Sequence, residues 1–334
     1  QEVISFGNIY RAMKNAASGT RRTGEVTRFF CDAEKELLRL KADLISGEYS
    51  PGRYRVFYIN DPKERLISAA PFRDRVVHHA VCDVLEPVLE RIYTDNSFAC
   101  RKNRGTHSAV YKARQFLCGN RFFLKCDIRK FFNSVDHECL KNCVAERFHE
   151  KQLRQLLLTV IDNPVPGCQT GKGIAIGNLT SQHFANLMLT KFDLFVVHSL
   201  KPSGYIRYMD DFVLFDDSLT RLQGFHFEIA EYLSKVMKLD LKKKASFSAS
   251  SNHGLPFLGM RIHRGVVLLN GKSKKRLLRK LALRIFQYEN GLIERVEFER
   301  SLNSIFGHLV GADTYRLRER LLEFHPELLE ETTA

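Results

Sequence analysis

The stretch YIRYMDDFVLF, residues 205–215, places two adjacent carboxylates, Asp210 and Asp211, between two runs of apolar and aromatic residues. Such runs favour strands, so the pattern predicts two buried strands that meet at a tight turn with the acids at its tip. Two carboxylates held together repel each other unless a positive charge lies between them. Their oxygens suit Mg²⁺. An Asp pair is equally typical of a solvated turn, so the rest of the chain must decide.

The composition predicts a globular, basic protein. The chain has 334 residues, of which 44% are hydrophobic and 11% aromatic, which excludes a disordered chain and allows a large core with two or three subdomains. The formal net charge of +14 favours a polyanionic partner, with nucleic acid as the first choice. A basic protein that binds nucleic acid only incidentally stays open.

The eight cysteines include no C-x-x-C pair, so a zinc ribbon is not expected. Most of them lie in apolar patterns, which indicates buried free thiols in a reducing compartment. The sequence shows no signal peptide and no apolar run long enough to span a membrane. We therefore expect a cytoplasmic protein with no membrane partner.

The periodicity of apolar residues predicts an α+β chain. Helical patterns cover residues 23–46, 74–85, 136–148, 180–195, 218–238 and 272–285. Strand patterns cover residues 54–59, 65–68, 122–127, 239–244 and 256–262, the first two joined as a hairpin. The glycine-rich segment 167–177 matches neither a Walker A loop nor the dinucleotide fingerprint, so we predict a flexible hairpin there.

Asp127 ends the predicted strand 122–127, and pairing of this strand with the Asp-Asp hairpin would bring three carboxylates together. Three acids can hold two Mg²⁺ ions, of which one activates a hydroxyl nucleophile and the other stabilises the leaving pyrophosphate. In-line nucleotidyl transfer has this requirement, because its catalysis is mostly positioning and charge stabilisation.

Segments across the chain resemble the motifs of the reverse transcriptases, in the order in which that family carries them. They are RLI (65–67), PFRDRVV (71–77), SFACRK (97–102), DIRKFF (127–132), IGNLTSQ (176–182), YMDD (208–211) and FLG (257–259). Residues 239–244 match a further motif only weakly, because its usual lysine position is Ala245. The resemblance implies a right-hand polymerase fold, with an N-terminal extension, fingers and part of the palm in residues 1–120, the palm in 121–263 and a helical thumb in 264–334.

At two positions the sequence differs from the usual reverse transcriptase motifs, and these differences indicate the subfamily. Group II intron and retroviral enzymes usually carry Gln-Gly and Ser-Pro where this chain has Ile176-Gly177 and Ser181-Gln182. Together with RDRVVHH (73–79), this variant resembles the bacterial reverse transcriptases of diversity-generating retroelements. Their role implies error-prone copying of an RNA template, chiefly at adenines, with a small helical accessory protein. Antiphage-defence reverse transcriptases that use a dedicated noncoding RNA, and an inactive RNA-binding scaffold, remain alternatives.

The resemblance assigns the metal site to Asp127, Ile128, Asp210 and Asp211, with the three acids catalytic and two Mg²⁺ ions bound. It also implies an RNA template, a DNA or RNA primer and deoxynucleoside triphosphates as partners.

The resemblance also assigns nucleotide contacts. Arg65 and Lys63 would neutralise the triphosphate, although they could instead pair with acids on the protein surface. Phe132 would lie beneath the sugar and exclude a 2′-hydroxyl, or it packs in the core beside Phe131. Gln182 would hydrogen-bond a nucleotide or be inert. Ile176 offers only shape where glutamine offers a polar check, which predicts low fidelity.

The region after residue 272 predicts an amphipathic helix with a cationic outer face. Its apolar stripe is Leu277, Leu278, Leu281 and Ile285. A solvated surface is the usual fate of such charge. Beside a polymerase site we favour contact with phosphates. The residues concerned are Lys274, Lys275, Arg276, Arg279 and Lys280.

Two residue pairs near residue 75 are expected to have structural roles. Arg73 and Arg75 would pair with Asp74, and His78 and His79 would pack or cap on a helix.

Overall fold

The structure of the chain is a computed structural model that describes residues 2–18, 24–60, 64–309 and 311–324. Its helices are α1 (Phe6–Ala17), α2 (Gly24–Cys31), α3 (Ala33–Ser46), α4 (Phe72–Glu90), α5 (Thr106–Gly119), α6 (Phe131–Ser134), α7 (His137–Arg147), α8 (Lys151–Asp162), α9 (Leu179–Phe195), α10 (Leu219–Met237), α11 (Gly271–Glu289), α12 (Arg295–Leu309) and α13 (Tyr315–Phe324). Its strands are β1 (Arg55–Asn60), β2 (Glu64–Ala69), β3 (Phe122–Asp127), β4 (Gly204–Tyr208), β5 (Asp211–Asp216), β6 (Phe247–Ser250), β7 (Leu255–Phe257), β8 (Met260–Ile262) and β9 (Val267–Leu269). The α+β class is confirmed.

The described strands form three antiparallel sheets. The central sheet has the order β4-β5-β3-β6, the hairpin β1-β2 stands apart, and β7-β8-β9 form a meander. The central sheet lies between two hydrophobic cores. Strand β5 shows this, because its alternate residues face opposite sides of the sheet. Phe212 and Leu214 join the core beneath α9 and α10, whereas Val213 and Phe215 join the core that contains α5 and β8. A strand buried on both faces must be apolar almost throughout, as this one is.

The hairpin β1-β2 touches the rest of the protein through its second strand. Every residue of β1 is exposed, whereas Ser68 of β2 is buried and its amide donates to the Ile176 carbonyl at 3.0 Å. Gly177 has φ +117°, and a Cβ there would lie 3.1 Å from the Ile67 side chain. The close approach of β2 to this segment therefore requires glycine. The predicted hairpin is confirmed, although Lys63 lies outside the described residues.

The helix predicted over residues 23–46 is wrong in one respect, because the chain forms two helices there. Asp32 leaves the helical conformation, with φ −118° and ψ 33°, and separates α2 from α3. Within α2, Phe29 packs edge-on against Phe72, with ring centroids 5.0 Å apart, whereas Phe30 is exposed.

Three other predicted segments differ from the structure. The segment 256–262, predicted as one strand, forms the two strands β7 and β8 with a turn at Leu258 and Gly259. Residues 239–244 form no strand, because β6 pairs with β3 and the segment 239–242 instead runs beside the loop after β3. There the amide of Arg129 donates to the Asp240 carbonyl, and the amide of Lys242 donates to the Asp127 carbonyl, both at 2.8 Å. The segment 167–177 is a loop with one isolated bridge, between Asp136 and Lys172, and not a hairpin.

Polar residues of the N-terminal region also depart from expectation. Arg73 forms an ion pair with Asp43 and not with Asp74. Asp74 points into the core, where it accepts from the Tyr49 hydroxyl at 2.9 Å and from the Gly52 amide at 2.7 Å. His78 is buried in the packing of α4, as predicted.

The cysteines were expected to be mostly buried, and this is only partly right. All eight are free, but only Cys82, Cys126 and Cys143 are buried, whereas three others are exposed. An apolar sequence pattern does not bury a cysteine that falls on the outer face of its helix or in a loop.

The C-terminal helices build a core of their own. Leu277, Leu281 and Ile285 of α11 pack against Phe298, Leu302 and Ile305 of α12. The amphipathic helix predicted from residue 272 is confirmed. The division of the chain at residues 120 and 263 stays a prediction. Within the described part of the chain, no helix is long and apolar enough to cross a membrane.

Candidate active site

The turn between β4 and β5 carries the acid pair. Tyr208 is the cross-strand partner of Asp211, which leaves Met209 and Asp210 as the two turn residues. Met209 has φ +56°, in the left-handed region that residues other than glycine seldom adopt. Asp211 is in turn the partner of Asp127, and the Ile128 amide donates to the Asp210 carbonyl at 3.1 Å. The three carboxylates therefore leave neighbouring strands at one end of the sheet.

Burial and mutual repulsion disfavour the charged forms of the two turn acids. Burial raises the pKa of Asp210, and the charge of Asp127 raises it further, while Arg65 and Lys242 oppose the shift. Burial likewise raises the pKa of Asp211 to about 6, with Lys125 opposing and the other two acids adding to the shift. Burial is the main reason that these charged forms are disfavoured, and a cation bound between the carboxylates would favour them.

Two lysines that the sequence reasoning did not single out lie against these acids. Lys125 forms an ion pair with Asp211. It stands two residues before Asp127 on β3 and so faces the same side of the sheet, a spacing visible in the sequence. The Lys242 ammonium lies 3.6 Å from the Asp127 carboxylate. Its position depends on the 239–242 segment that was expected to be a strand, so the sequence held no signal for it.

The chemistry of the donors fits Mg²⁺, although the side chains do not enclose an ion as they stand. Among the described residues, no group of three or more His, Cys, Asp or Glu side chains forms a closed metal site. Lys242 and Lys125 draw Asp127 and Asp211 towards themselves. The carboxylates are hard oxygen donors on adjoining strands, which suit this ion. Ile128 is buried, so only its main-chain carbonyl is available as a ligand.

The structure places the other predicted site residues on several different elements. Arg65 is exposed on β2, and its charge reaches Asp210. Phe132 is half-buried in α6 and meets the fully buried Phe131 edge-on, with ring centroids 5.6 Å apart. Ile176 is half-buried beside β2, and Gln182 is exposed in the first turn of α9. The predicted phosphate-binding cations, Lys274, Lys275, Arg276, Arg279 and Lys280, are exposed on α11.

The sequence also did not predict a groove, lined mainly by cationic residues, that lies beside Asp127. It has a volume of about 960 Å³, and its lining includes Arg129, Lys130 and the run Lys242–Lys244. The groove forms because the Lys242–Lys244 run packs beside the loop that follows β3. The lining also includes Asp240 but none of the three acids, and Lys242 connects the groove to Asp127. The five cations of the groove provide a place for a phosphate chain.

The fold is similar to that of two solved telomerase structures from Candida tropicalis. The apo enzyme has a TM-score of 0.52 at 11% identity, with 72% of this chain and 54% of that chain covered. The form truncated at its C-terminal domain has a TM-score of 0.51 at 12% identity, with 71% and 60% covered. The chain therefore has the right-hand polymerase fold, as predicted.

The family follows from the sequence. The model described as "Reverse transcriptase (RNA-dependent DNA polymerase)" matches residues 60–262. The chain therefore belongs to the reverse transcriptase family, which the motifs predicted.

Relatives include Protein YkfC of Escherichia coli K12, 26% identical over 273 residues, with 69% of this chain and 71% of YkfC covered. The group II intron-encoded protein LtrA of Lactococcus lactis subsp. cremoris is 23% identical over 318 residues, with 74% of this chain and 53% of LtrA covered. The chain thus spans about half the length of LtrA.

Proposed function

We propose that this reverse transcriptase extends a primer on an RNA template by two-metal nucleotidyl transfer. The observation that carries the proposal is the convergence of Asp127, Asp210 and Asp211 at one end of the central sheet. These acids would hold two Mg²⁺ ions, which supply a more acidic primer hydroxyl and charge neutralisation at the phosphates. A sheet buried on both faces keeps the acids in place, as a reaction that relies on positioning requires.

The triphosphate would lie between two sources of positive charge. Arg65 reaches towards Asp210 from the hairpin β1-β2, and Lys242 reaches Asp127 from the cationic groove. Arg129 and Lys130 line the same groove and would contact the released pyrophosphate there. Lys63 belongs to the same proposal through its position before Arg65 in the sequence.

Phe132 would select the sugar. Phe131 takes the buried place in the core, so the half-buried Phe132 ring is not needed to fill it. The amide of Ile174 donates to the Phe132 carbonyl at 2.8 Å, which holds the backbone of this residue against the loop before α9. A ring fixed in this way can exclude a 2′-hydroxyl by contact.

We propose further that copying is error-prone, as in diversity-generating retroelements. Ile176 supports this, because its main chain is held by Ser68 of β2 while its side chain has no polar group to offer a base pair. The Ser68 contact fixes the main chain at residue 176. The loop therefore cannot shift to bring another polar group to the place where a glutamine side chain would lie. Fewer hydrogen bonds to a correct pair mean a smaller difference between correct and incorrect pairs.

The thumb would track the nucleic-acid backbone. The exposed Lys275, Arg276, Arg279 and Lys280 lie away from the apolar stripe of Leu277, Leu281 and Ile285, which anchors α11 in its own core. Lys274, three residues before Leu277, is exposed at the N-terminal end of that stripe. Phosphate contacts of this kind supply affinity without sequence preference. A small helical accessory protein remains part of the proposal by resemblance to diversity-generating enzymes.

Sequencing of the product tests the proposal. The purified chain would extend a DNA primer on an RNA template of balanced composition, with Mg²⁺ and the four deoxynucleotides. We expect DNA product with substitutions concentrated opposite template adenines. Accurate or repetitive product would retain the polymerase and favour the defence role. Absence of product with every RNA and partner supplied would favour an RNA-binding scaffold.

A further inference from the structure

Arg207 is the largest fully buried side chain of the described residues, and it lies two residues before the catalytic turn. Its side chain and that of its partner Asp193, on α9, are both 0% exposed. Burying two charges costs free energy that a simple apolar pair would avoid, so a buried ion pair is weak evidence for stability alone. The question is therefore what else the guanidinium holds.

Every N–H of the Arg207 guanidinium has an acceptor. Nε donates to Asp193 Oδ1 at 2.7 Å, and Nη2 donates to Asp193 Oδ2 at 2.6 Å and to Ser97 Oγ at 3.0 Å. Nη1 donates to Asn186 Oδ1 at 3.0 Å and to the Met209 carbonyl at 3.2 Å. The two contacts to Asp193 account for the charge. The contacts from Nη1 join α9 to the turn itself.

The Met209 contact matters because Met209 precedes Asp210 and has a left-handed backbone. A non-glycine residue at φ +56° is strained and persists only where its surroundings fix it. The turn has two such restraints: the Ile128 amide holds the Asp210 carbonyl, and Arg207 holds the Met209 carbonyl. Together they fix both peptide groups that orient the Asp210 side chain.

We propose that Arg207 is a positioning residue for nucleotidyl transfer, which holds the turn that carries Asp210 at a set position relative to α9. Helix α9 begins at the segment whose Ile176 carbonyl accepts from Ser68 of the hairpin β1-β2. Asn186 of α9 also donates to the Ala99 carbonyl at 2.9 Å. Arg207 therefore fixes the position of the Met209-Asp210 turn relative to α9 and the hairpin β1-β2, the elements proposed to contact the nucleotide.

The test rests on the proposed function for its kinetics and on Mn²⁺ binding for an independent readout. Arg207→Lys keeps a cation for Asp193 but lacks the planar fork, so it cannot also hold Met209. We expect kcat to fall at least about tenfold while the KM for deoxynucleotide stays within about twofold, because turn geometry acts on the transition state. We also expect Mn²⁺ binding to the protein alone, measured by electron paramagnetic resonance, to weaken at least about threefold.

Tyr205→Phe is the matched control. The Tyr205 hydroxyl donates to Asp193 Oδ1 at 2.7 Å, so its loss perturbs the same buried network without touching the turn. We expect it to keep the kcat and Mn²⁺ affinity of the unaltered protein at temperatures below its unfolding. Equal effects of the two variants, or an Arg207→Lys protein that is folded and unchanged in both readouts, would overturn the proposal.

If Arg207→Lys does not fold, a second pair answers the question. Asn186 shares Nη1 with Met209, whereas Ser97 bonds only Nη2. Asn186→Ala is expected to weaken Mn²⁺ binding more than Ser97→Ala, and equal losses would overturn the proposal. An unaltered protein that binds Mn²⁺ without extending primers contradicts the proposed function and leaves this binding comparison decisive. An unaltered protein that binds no Mn²⁺ overturns both.

Discussion

Lys125 forms an ion pair with Asp211 across the central sheet, and it stands on the same strand face as Asp127. The ammonium thus partly offsets the negative charge of Asp211, which burial and the other two acids disfavour. A protein with three repelling carboxylates at one sheet end needs such a charge to fold stably without its ions.

Lys125→Met is therefore expected to make stability depend on metal. In EDTA the free energy of unfolding should fall by roughly 1–3 kcal/mol, because a buried charged acceptor loses its donor. Saturating Mg²⁺ should recover part of this loss, because ions that bind the folded state stabilise it. Chemical denaturation in EDTA and in Mg²⁺ measures the difference. Lys125→Arg serves as the control, and a Lys125→Met protein no more responsive to Mg²⁺ than the unaltered chain would refute the role.

Phe132→Ala should admit ribonucleotides. We expect the preference for deoxynucleotides, as a ratio of kcat/KM values, to fall at least about tenfold, which corresponds to a lost discrimination of about 1.4 kcal/mol. Phe132→Tyr retains a ring of the same width and should keep the preference. Single-nucleotide incorporation with each triphosphate measures it, and continued refusal of ribonucleotides by Phe132→Ala would remove the sugar-selecting role.

Ile176→Gln should raise fidelity. One added hydrogen bond to a correct pair contributes about 1 kcal/mol, so the substitution frequency should fall about fivefold. Ile176→Leu changes shape without adding a polar group and should leave the frequency near that of the unaltered chain. Deep sequencing of products made on one RNA template compares the three proteins. An error rate that glutamine does not alter would count against Ile176 as the cause of low fidelity.

His78 should make the fold sensitive to acid. Burial, and secondarily the charge of His79, lowers the pKa of His78 from 6.5 to about 4. Below pH 6.5 the unfolded chain therefore takes up a proton that the folded chain does not, so stability falls as the pH drops towards 4. From pH 7 to pH 5 this costs about 2 kcal/mol. His78→Gln should lose less stability than the unaltered chain over that interval, and identical losses in urea denaturation would contradict the assignment.

The elements that the sequence predicted well are those with a single strong pattern. The buried hairpin around Asp210 and the helices α9 and α10 follow from long apolar runs or stripes, and Asp136 caps α7 by accepting from the Cys139 amide at 3.1 Å, as its place in the sequence indicates. The three acids followed from strand pairing, because period-two geometry leaves few ways to join the two strands.

The features that escaped prediction depend on tertiary contacts. Asp32 interrupts a stripe that continues on both sides of it, and this stripe outweighs the one local sign of a new helix, an Asp followed by Glu34 and Glu36. Lys242 reaches Asp127 only because β6 takes the edge of β3. Arg207 stands between apolar neighbours in an ordinary strand pattern, and its distant partners come from two other segments, α9 and the loop that holds Ser97.

Primer extension with two acid-to-amide variants tests the central claim most directly. Asp210→Asn removes one carboxylate at the turn, whereas Asp217→Asn alters an exposed acid beyond the other end of β5, where it accepts from the Arg121 amide at 2.8 Å. On an RNA template with Mg²⁺ and deoxynucleotides, we predict that Asp210→Asn loses at least about a hundredfold in rate. Asp217→Asn should stay within about twofold of the unaltered chain, as surface substitutions usually do. Extension by Asp210→Asn at the unaltered rate would contradict the account.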